Sequence, residues 1–92
     1  MTTRDVTITN RLGLHARAAA KFVQLATKYR AQIRVAHHGR VMDGKSIMGI
    51  LLLAAARGTT ITIVGEGPDE HEALTALCQL IETGFGEEPW NA

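Results

Sequence analysis

Ninety-two residues suffice for one domain with a single modest core and are too few for two. Hydrophobic residues make up 46% and charged residues 21%, and ten Lys and Arg against nine Asp and Glu leave a formal charge of +1, too balanced for a general nucleic-acid or membrane binder. No apolar run approaches the roughly 18 residues of a membrane span, the first residues lack a secretory-signal pattern, and the lone Cys78 excludes an internal disulfide, so a soluble cytoplasmic chain with a reduced thiol is expected.

Val6-Thr7-Ile8-Thr9 alternates apolar and polar, the pattern of a half-buried strand, and Asn10 with Gly13 ends it in a loop. From Ala16, the residues Ala19, Phe22, Val23 and Ala26 fall on one face of an amphipathic helix that should end near Tyr29. Gln32-Ile33-Arg34-Val35-Ala36 alternates again, and the His38-Gly39 turn joins it to the short strand Arg40-Val41-Met42 as a hairpin. Asp43-Gly44 closes that strand. Ser46 stands at the N-cap of a second helix starting at Ile47, with Ile47, Ile50, Leu51 and Ala54 as its buried face and Arg57-Gly58 as its stop. Thr60-Ile61-Thr62-Ile63-Val64 is a strongly β-prone fourth strand, punctuated by Gly65 and Gly67. Asp69 with Glu72 makes a capping-box-like start for the last helix, whose stripe is Leu74, Leu77, Cys78 and Ile81 and whose end is Gly84. In that register Cys78 is a core thiol.

The order βαββαβα, with strands apolar on one face only, implies an α+β domain: a four-stranded antiparallel sheet with three helices on one face, spanning residues 1–92. The tail, residues 86–92, is expected to fray, with Trp90 free to be a packing anchor or a contact residue.

Chemistry concentrates at Asn10-Arg11-Leu12-Gly13-Leu14-His15-Ala16-Arg17, which places one histidine at the start of the first helix. The first turn of a helix carries backbone N–H groups without intrahelical partners and the positive end of the macrodipole, a ready anion site. With His15 as N-cap, the N–H groups of Ala16, Arg17 and Ala18 converge on that site, and the Arg17 guanidinium suits phosphate oxygens. A neutral imidazole there is a competent nucleophile for a phosphoryl group. Taken alone, the segment reads equally as a solvated or packed histidine.

The second segment, Asp43-Gly44-Lys45-Ser46-Ile47-Met48-Gly49-Ile50, lies downstream, and the two together resemble the histidine-containing phosphocarrier (HPr) family of the bacterial phosphotransferase system, from about Val6 to Ile81. The resemblance implies an HPr-like open-faced β-sandwich and a carrier that is not itself an enzyme. It implies that His15 takes phosphate at Nδ1 from phosphorylated enzyme I and gives it to a histidine of an enzyme IIA domain, Arg17 steadying the phosphate. It makes Ser46 a regulatory target of an HPr kinase/phosphorylase, and Ile47, Met48 and Leu51, with Leu52 beside them, the docking surface for enzyme I. Ala18 departs from the family's common proline, keeping an N–H while loosening the loop-to-helix junction. A monomer without cofactor is expected.

Each feature also has a plainer reading: Ser46 is a good N-cap in its own right, and Met48 and Leu52 could be ordinary packing. His37, His38 and His71 do not make a metal site, since adjacent side chains should diverge. Within the family the alternative is a nitrogen-branch or serine-regulated paralogue. From another class it is a small ligand- or RNA-binding α+β module, against which stands the small number of aromatics, four in the chain.

Overall fold

The computed structural model describes residues 1–87. Its elements run β1 (Thr2–Thr7), α1 (Ala16–Ala26), β2 (Gln32–His37), β3 (Arg40–Asp43), α2 (Ile47–Leu52), β4 (Thr60–Glu66) and α3 (Glu70–Glu82), followed by a tight turn over Gly84–Gly86. The sheet order is β1-β4-β2-β3 and every neighbouring pair is antiparallel. The register sets Val6 against Ile61 and Val35 against Ile63, so their side chains share the covered face. Phe22 of α1, Ile50 of α2 and Leu74, Leu77 and Ile81 of α3 close over that face and complete one buried cluster. Each such side chain contributes about 1.5–3 kcal/mol on burial. Gly65 permits the close approach of α3, because a Cβ there would lie 2.5 Å from Leu74 Cδ1.

The order, the antiparallel sheet and the open-faced arrangement are those expected from the sequence. Four local expectations are corrected. The first strand spans Thr2–Thr7 rather than Val6–Thr9. Residues 2–5 carry no apolar alternation because they are exposed or half-buried, and it is backbone pairing with β4 that makes them a strand. The first helix ends at Ala26 rather than near Tyr29, since the N–H groups of Lys28 and Tyr29 turn to the carbonyls three residues back.

The second helix is shorter than its spacing predicts, and it is rotated. Gly49, Ile50 and Leu53 are buried, whereas Ile47 and Ala54 are exposed and Leu51 is half-buried. The cause is β3: a Cβ on Gly49 would sit 3.3 Å from Met42 Cβ, so the strand backs the Gly49 side and Ile47 is left outside. Ala54, at φ +50°, then ends the helical path. Finally, Asp69 makes no side-chain cap bond and no capping box forms with Glu72. Its carboxylate instead accepts from the N–H groups of Arg30 and Ala31.

Candidate functional site

The residues before α1 are held by backbone pairing that outlasts β1. Ile8 exchanges hydrogen bonds with Thr59 and Gly58, each 2.8 Å, and the chain then leaves the sheet. Asn10 is buried, and its Nδ2 donates to the Gly13 carbonyl at 2.7 Å. Gly13 takes φ +67°, and a Cβ would lie 2.5 Å from the Ala55 carbonyl oxygen, so only glycine fits without displacement. The next N–H, of Leu14, donates to that same carbonyl at 3.0 Å. These bonds set His15 as N-cap of α1 in extended conformation (φ −79°, ψ 178°), its carbonyl accepting from Ala19 at 2.8 Å.

The His15 side chain makes no capping bond, so the helix start is not closed by its own N-cap. The N–H groups of Ala16, Arg17 and Ala18 have no intrahelical acceptor, and no acidic residue occupies the first turn. Arg17 is exposed and engages no hydrogen bond or ion pair among the described residues. It lines an open pocket with Leu12, His15, Lys21, Gly86 and Glu87. The structure thus brings together His15, Ala16, Arg17 and Ala18 as the sequence predicts.

It adds Glu87, the turn that carries it and Lys21. Glu87, grouped by the sequence with the fraying tail, reaches His15 Nε2 through Oε2 at 2.5 Å and accepts from Asn10 Nδ2 through Oε1 at 3.2 Å. Its backbone N–H donates to the Gly84 carbonyl at 3.0 Å. Gly84, Phe85 and Gly86 take φ +69°, +60° and +69°, a left-handed turn that swings the chain back across the end of α1. For Phe85 that conformation costs about 1–2 kcal/mol, offset by a ring that is 1% exposed. Lys21 Nζ donates to the Phe85 carbonyl at 2.7 Å. The available signal was Gly84-Phe85-Gly86 itself, a large apolar residue between two glycines just beyond a helix. Burial pulls the Glu87 carboxyl up, but hydrogen bonds from His15 and Asn10 and the positive charge of Lys21 work against it, leaving the group below its usual range.

Ser46 caps α2 as expected, its Oγ accepting from the Gly49 N–H at 3.1 Å. Ile47, Met48 and Leu52 are 43%, 67% and 53% exposed and Leu12 of the site loop is 65% exposed, whereas Leu51 packs partly into the core. The Gly13 and Leu14 contacts with Ala55 lock the loop carrying His15 to the segment just after α2.

The remaining histidines are engaged elsewhere. His71 Nδ1 lies 3.3 Å from Thr2 Oγ1, and His37 Nδ1 lies 3.2 Å from the Leu53 carbonyl. The His37 and His38 rings do not diverge as expected. They meet edge to face with centroids 4.0 Å apart, because His38 adopts φ +50° in the turn. No group of three His, Cys, Asp or Glu side chains able to hold a metal occurs among the described residues. Cys78 is buried, and burial pushes its thiol up, Glu82 adding to the effect and Arg4 opposing it. No helix among the described residues is long and apolar enough to cross a membrane. Trp90 and the rest of the tail from residue 88 lie outside the described residues.

Comparison with known proteins shows what the chain as a whole is similar to. The family described as PTS HPr component phosphorylation site matches residues 2–83. The chain is 53% identical over 87 residues to the phosphocarrier protein HPr of Cupriavidus necator, covering 95% of this chain and 98% of that one. It is 43% identical to the phosphocarrier protein NPr of Shewanella violacea, with 91% and 92% covered. Among solved structures, HPr of Thermoanaerobacter tengcongensis superposes with a TM-score of 0.93 at 46% identity, covering 97% of this chain and 100% of that one. The same organism's HPr solved as a dimer gives a TM-score of 0.76.

Proposed function

The chain belongs to the HPr family and is a phosphocarrier protein of the phosphotransferase system, and on that premise we propose that His15 is the residue that carries the phosphate. The observation behind the proposal is an imidazole, 26% exposed, at the open start of α1, beside the guanidinium of Arg17, which is unengaged among the described residues. Phosphorylated enzyme I is the donor and an enzyme IIA histidine the acceptor. The Ala16, Arg17 and Ala18 N–H groups and the Arg17 guanidinium receive the phosphoryl oxygens. The protein acts in the cytoplasm as a monomer and is a covalent intermediate between enzymes, turning over no substrate of its own.

Docking to enzyme I uses the exposed Ile47, Met48 and Leu52 of α2 with the edge of Leu51, on a helix whose following segment is tied to the His15 loop by the Leu14 hydrogen bond to the Ala55 carbonyl. Phosphorylation of Ser46 by an HPr kinase would set a dianion beside that apolar surface and weaken docking by repulsion and desolvation. The NPr relative supports a second reading, in which the acceptor is an enzyme IIA of the nitrogen branch.

The test is incubation with enzyme I and phosphoenolpyruvate, followed by transfer to a sugar-branch and a nitrogen-branch enzyme IIA. An acid-labile, base-stable adduct on His15, absent from His15→Ala, is expected. Equal labelling of His15→Ala, or label at His37, His38 or His71, overturns the assignment.

A further inference from the structure

We infer that Glu87 is a positioning residue for phosphoryl transfer: seated on Nε2 of His15, it keeps the ring proton on that nitrogen and presents Nδ1 as the nucleophile. The inference rests on His15 being the phosphate acceptor. A neutral imidazole has one N–H and one lone pair, and which nitrogen holds which is decided by its partners. An ionised carboxylate can only accept, so the ring nitrogen facing Glu87 Oε2 is the donor and Nδ1 keeps the lone pair. The same logic holds the histidine of a catalytic triad in its working tautomer.

The contact is built rather than incidental. Both carboxylate oxygens are engaged, Oε2 by His15 and Oε1 by the buried Asn10, which also clamps the Gly13 carbonyl of the site loop. The strained, buried Phe85 and the Lys21 bond to its carbonyl fix the turn that delivers Glu87. A non-glycine residue held in left-handed conformation beside a reactive group points to a function for the turn.

The chemistry balances without moving a proton. The Nδ1 lone pair of His15 forms the new N–P bond while the N–P bond of the donor phosphohistidine breaks, its electrons returning to the donor nitrogen. The His15 ring then carries one positive charge, with its proton still on Nε2 and the Glu87 carboxylate beside it. When phosphate passes on, the N–P electrons return to Nδ1 and the ring is neutral again. Glu87 therefore opposes the charge that develops during transfer, without touching the phosphoryl group.

The experiment uses the full chain and its Glu87→Ala and Glu87→Gln variants, with melting curves confirming that each is folded. Nitrogen-15 spectra of the unphosphorylated His15 ring at neutral pH read the tautomer directly, independently of any enzyme. The parent should show a protonated Nε2 with a slowly exchanging ring proton, and Glu87→Ala should lose that protection and mix tautomers. Transfer from phosphorylated enzyme I should slow about tenfold in Glu87→Ala, the loss expected for one ion-assisted hydrogen bond. Glu87→Gln, which keeps an acceptor but not the charge, should fall between. An unchanged His15 spectrum in Glu87→Ala, an unchanged transfer rate, or phosphate attached at Nε2 overturns the inference. Labelling of His15→Ala at the parent's level would instead overturn the phosphate-acceptor assignment, while the tautomer spectra still report on the Glu87 contact.

Discussion

Asp69 and Ala31 are joined by a 2.8 Å hydrogen bond from the Ala31 N–H to the Asp69 carboxylate, whose other oxygen accepts from the Arg30 N–H at the same distance. The start of α3 is thereby tied to the connection between α1 and β2. The Arg30 bond does most to hold the Asp69 carboxyl below its usual range; burial works the other way and the Ala31 bond adds to the lowering. Asp69→Ala should lower the melting temperature more than Glu72→Ala, because Glu72 makes no capping box and its loss orphans no backbone donor. Asp69→Asn, with one acceptor oxygen left, should fall between. Thermal unfolding of the three variants decides the order, and an equal effect of Asp69→Ala and Glu72→Ala would refute the tie.

A pH dependence follows from Glu70. Its carboxylate takes hydrogen bonds from the Thr2 hydroxyl and the Gly67 N–H and pairs with the N-terminal ammonium of Met1 at 3.1 Å. The Thr2 bond is the largest cause, the Gly67 bond and the ammonium follow, and burial opposes them, with the group lowered from 4.5 to about 2. A carboxyl with a depressed folded-state pKa binds its proton more readily when unfolded, so its stabilisation is complete above 4.5 and is lost as the pH falls through about 2. Denaturant unfolding across that window should show a steeper loss for the parent than for Glu70→Gln. Parallel curves would show that Glu70 contributes nothing to acid sensitivity.

What the sequence disclosed followed how strongly each feature leaves a periodic or local chemical mark. The stripe of α3 and the alternation of β2 and β4 are visible because a buried face imposes a period. His15 and Ser46 were placed correctly as N-caps because the loop and turn signals before them are local. The start of β1 was not visible, since Thr2-Thr3-Arg4-Asp5 is a strand only by pairing with β4. The rotation of α2 was not visible either, as it depends on which side Met42 supports. Glu87 lies 72 positions from His15, and no spacing rule joins them; only the fold of the Gly84–Gly86 turn does.

Gly13 is predicted to tolerate no side chain. Gly13→Ala must hold a Cβ at φ +67° and press it to within 2.5 Å of the Ala55 carbonyl oxygen, which is backbone and cannot swing away. The left-handed conformation alone costs about 1–2 kcal/mol, and the collision adds to it. Urea unfolding should show at least that loss, with a parallel fall in transfer rate as the His15 loop separates from the segment after α2. Gly39→Ala is the control, since at φ +78° it carries the conformational cost but meets nothing within 4 Å. Equal losses in the two would show that the Ala55 contact is unimportant.

The two roles assigned to the start of α2 should separate. Ser46→Ala removes the acceptor of the Gly49 N–H and should cost about 1 kcal/mol of stability while leaving enzyme I binding near the parent's. Ser46→Asp keeps a capping oxygen and adds charge, so folding should hold while binding weakens. Met48→Asp should weaken binding without disturbing the fold, its side chain being two-thirds exposed. Calorimetric titration against enzyme I with melting curves on the same samples checks all three. Equal affinity across the set would remove α2 from the docking surface and leave Ser46 as a cap alone.

Arg17 should matter to the chemistry and not to the fold. It is exposed in the first turn of α1, and no ion pair or hydrogen bond among the described residues depends on it, so Arg17→Ala should change stability by no more than about 0.5 kcal/mol. In the role proposed for it, the guanidinium fork meets two phosphoryl oxygens at once, in addition to the N–H groups of the helix start. Arg17→Lys keeps the charge but loses the fork, so its transfer rate should lie between those of the parent and Arg17→Ala. Rapid-quench measurement of transfer from enzyme I, beside urea unfolding of the same proteins, separates the possibilities. A parent-like rate in Arg17→Ala would leave phosphate binding to the helix start alone, and a rate in Arg17→Lys equal to the parent's would show that charge and not geometry is what Arg17 supplies.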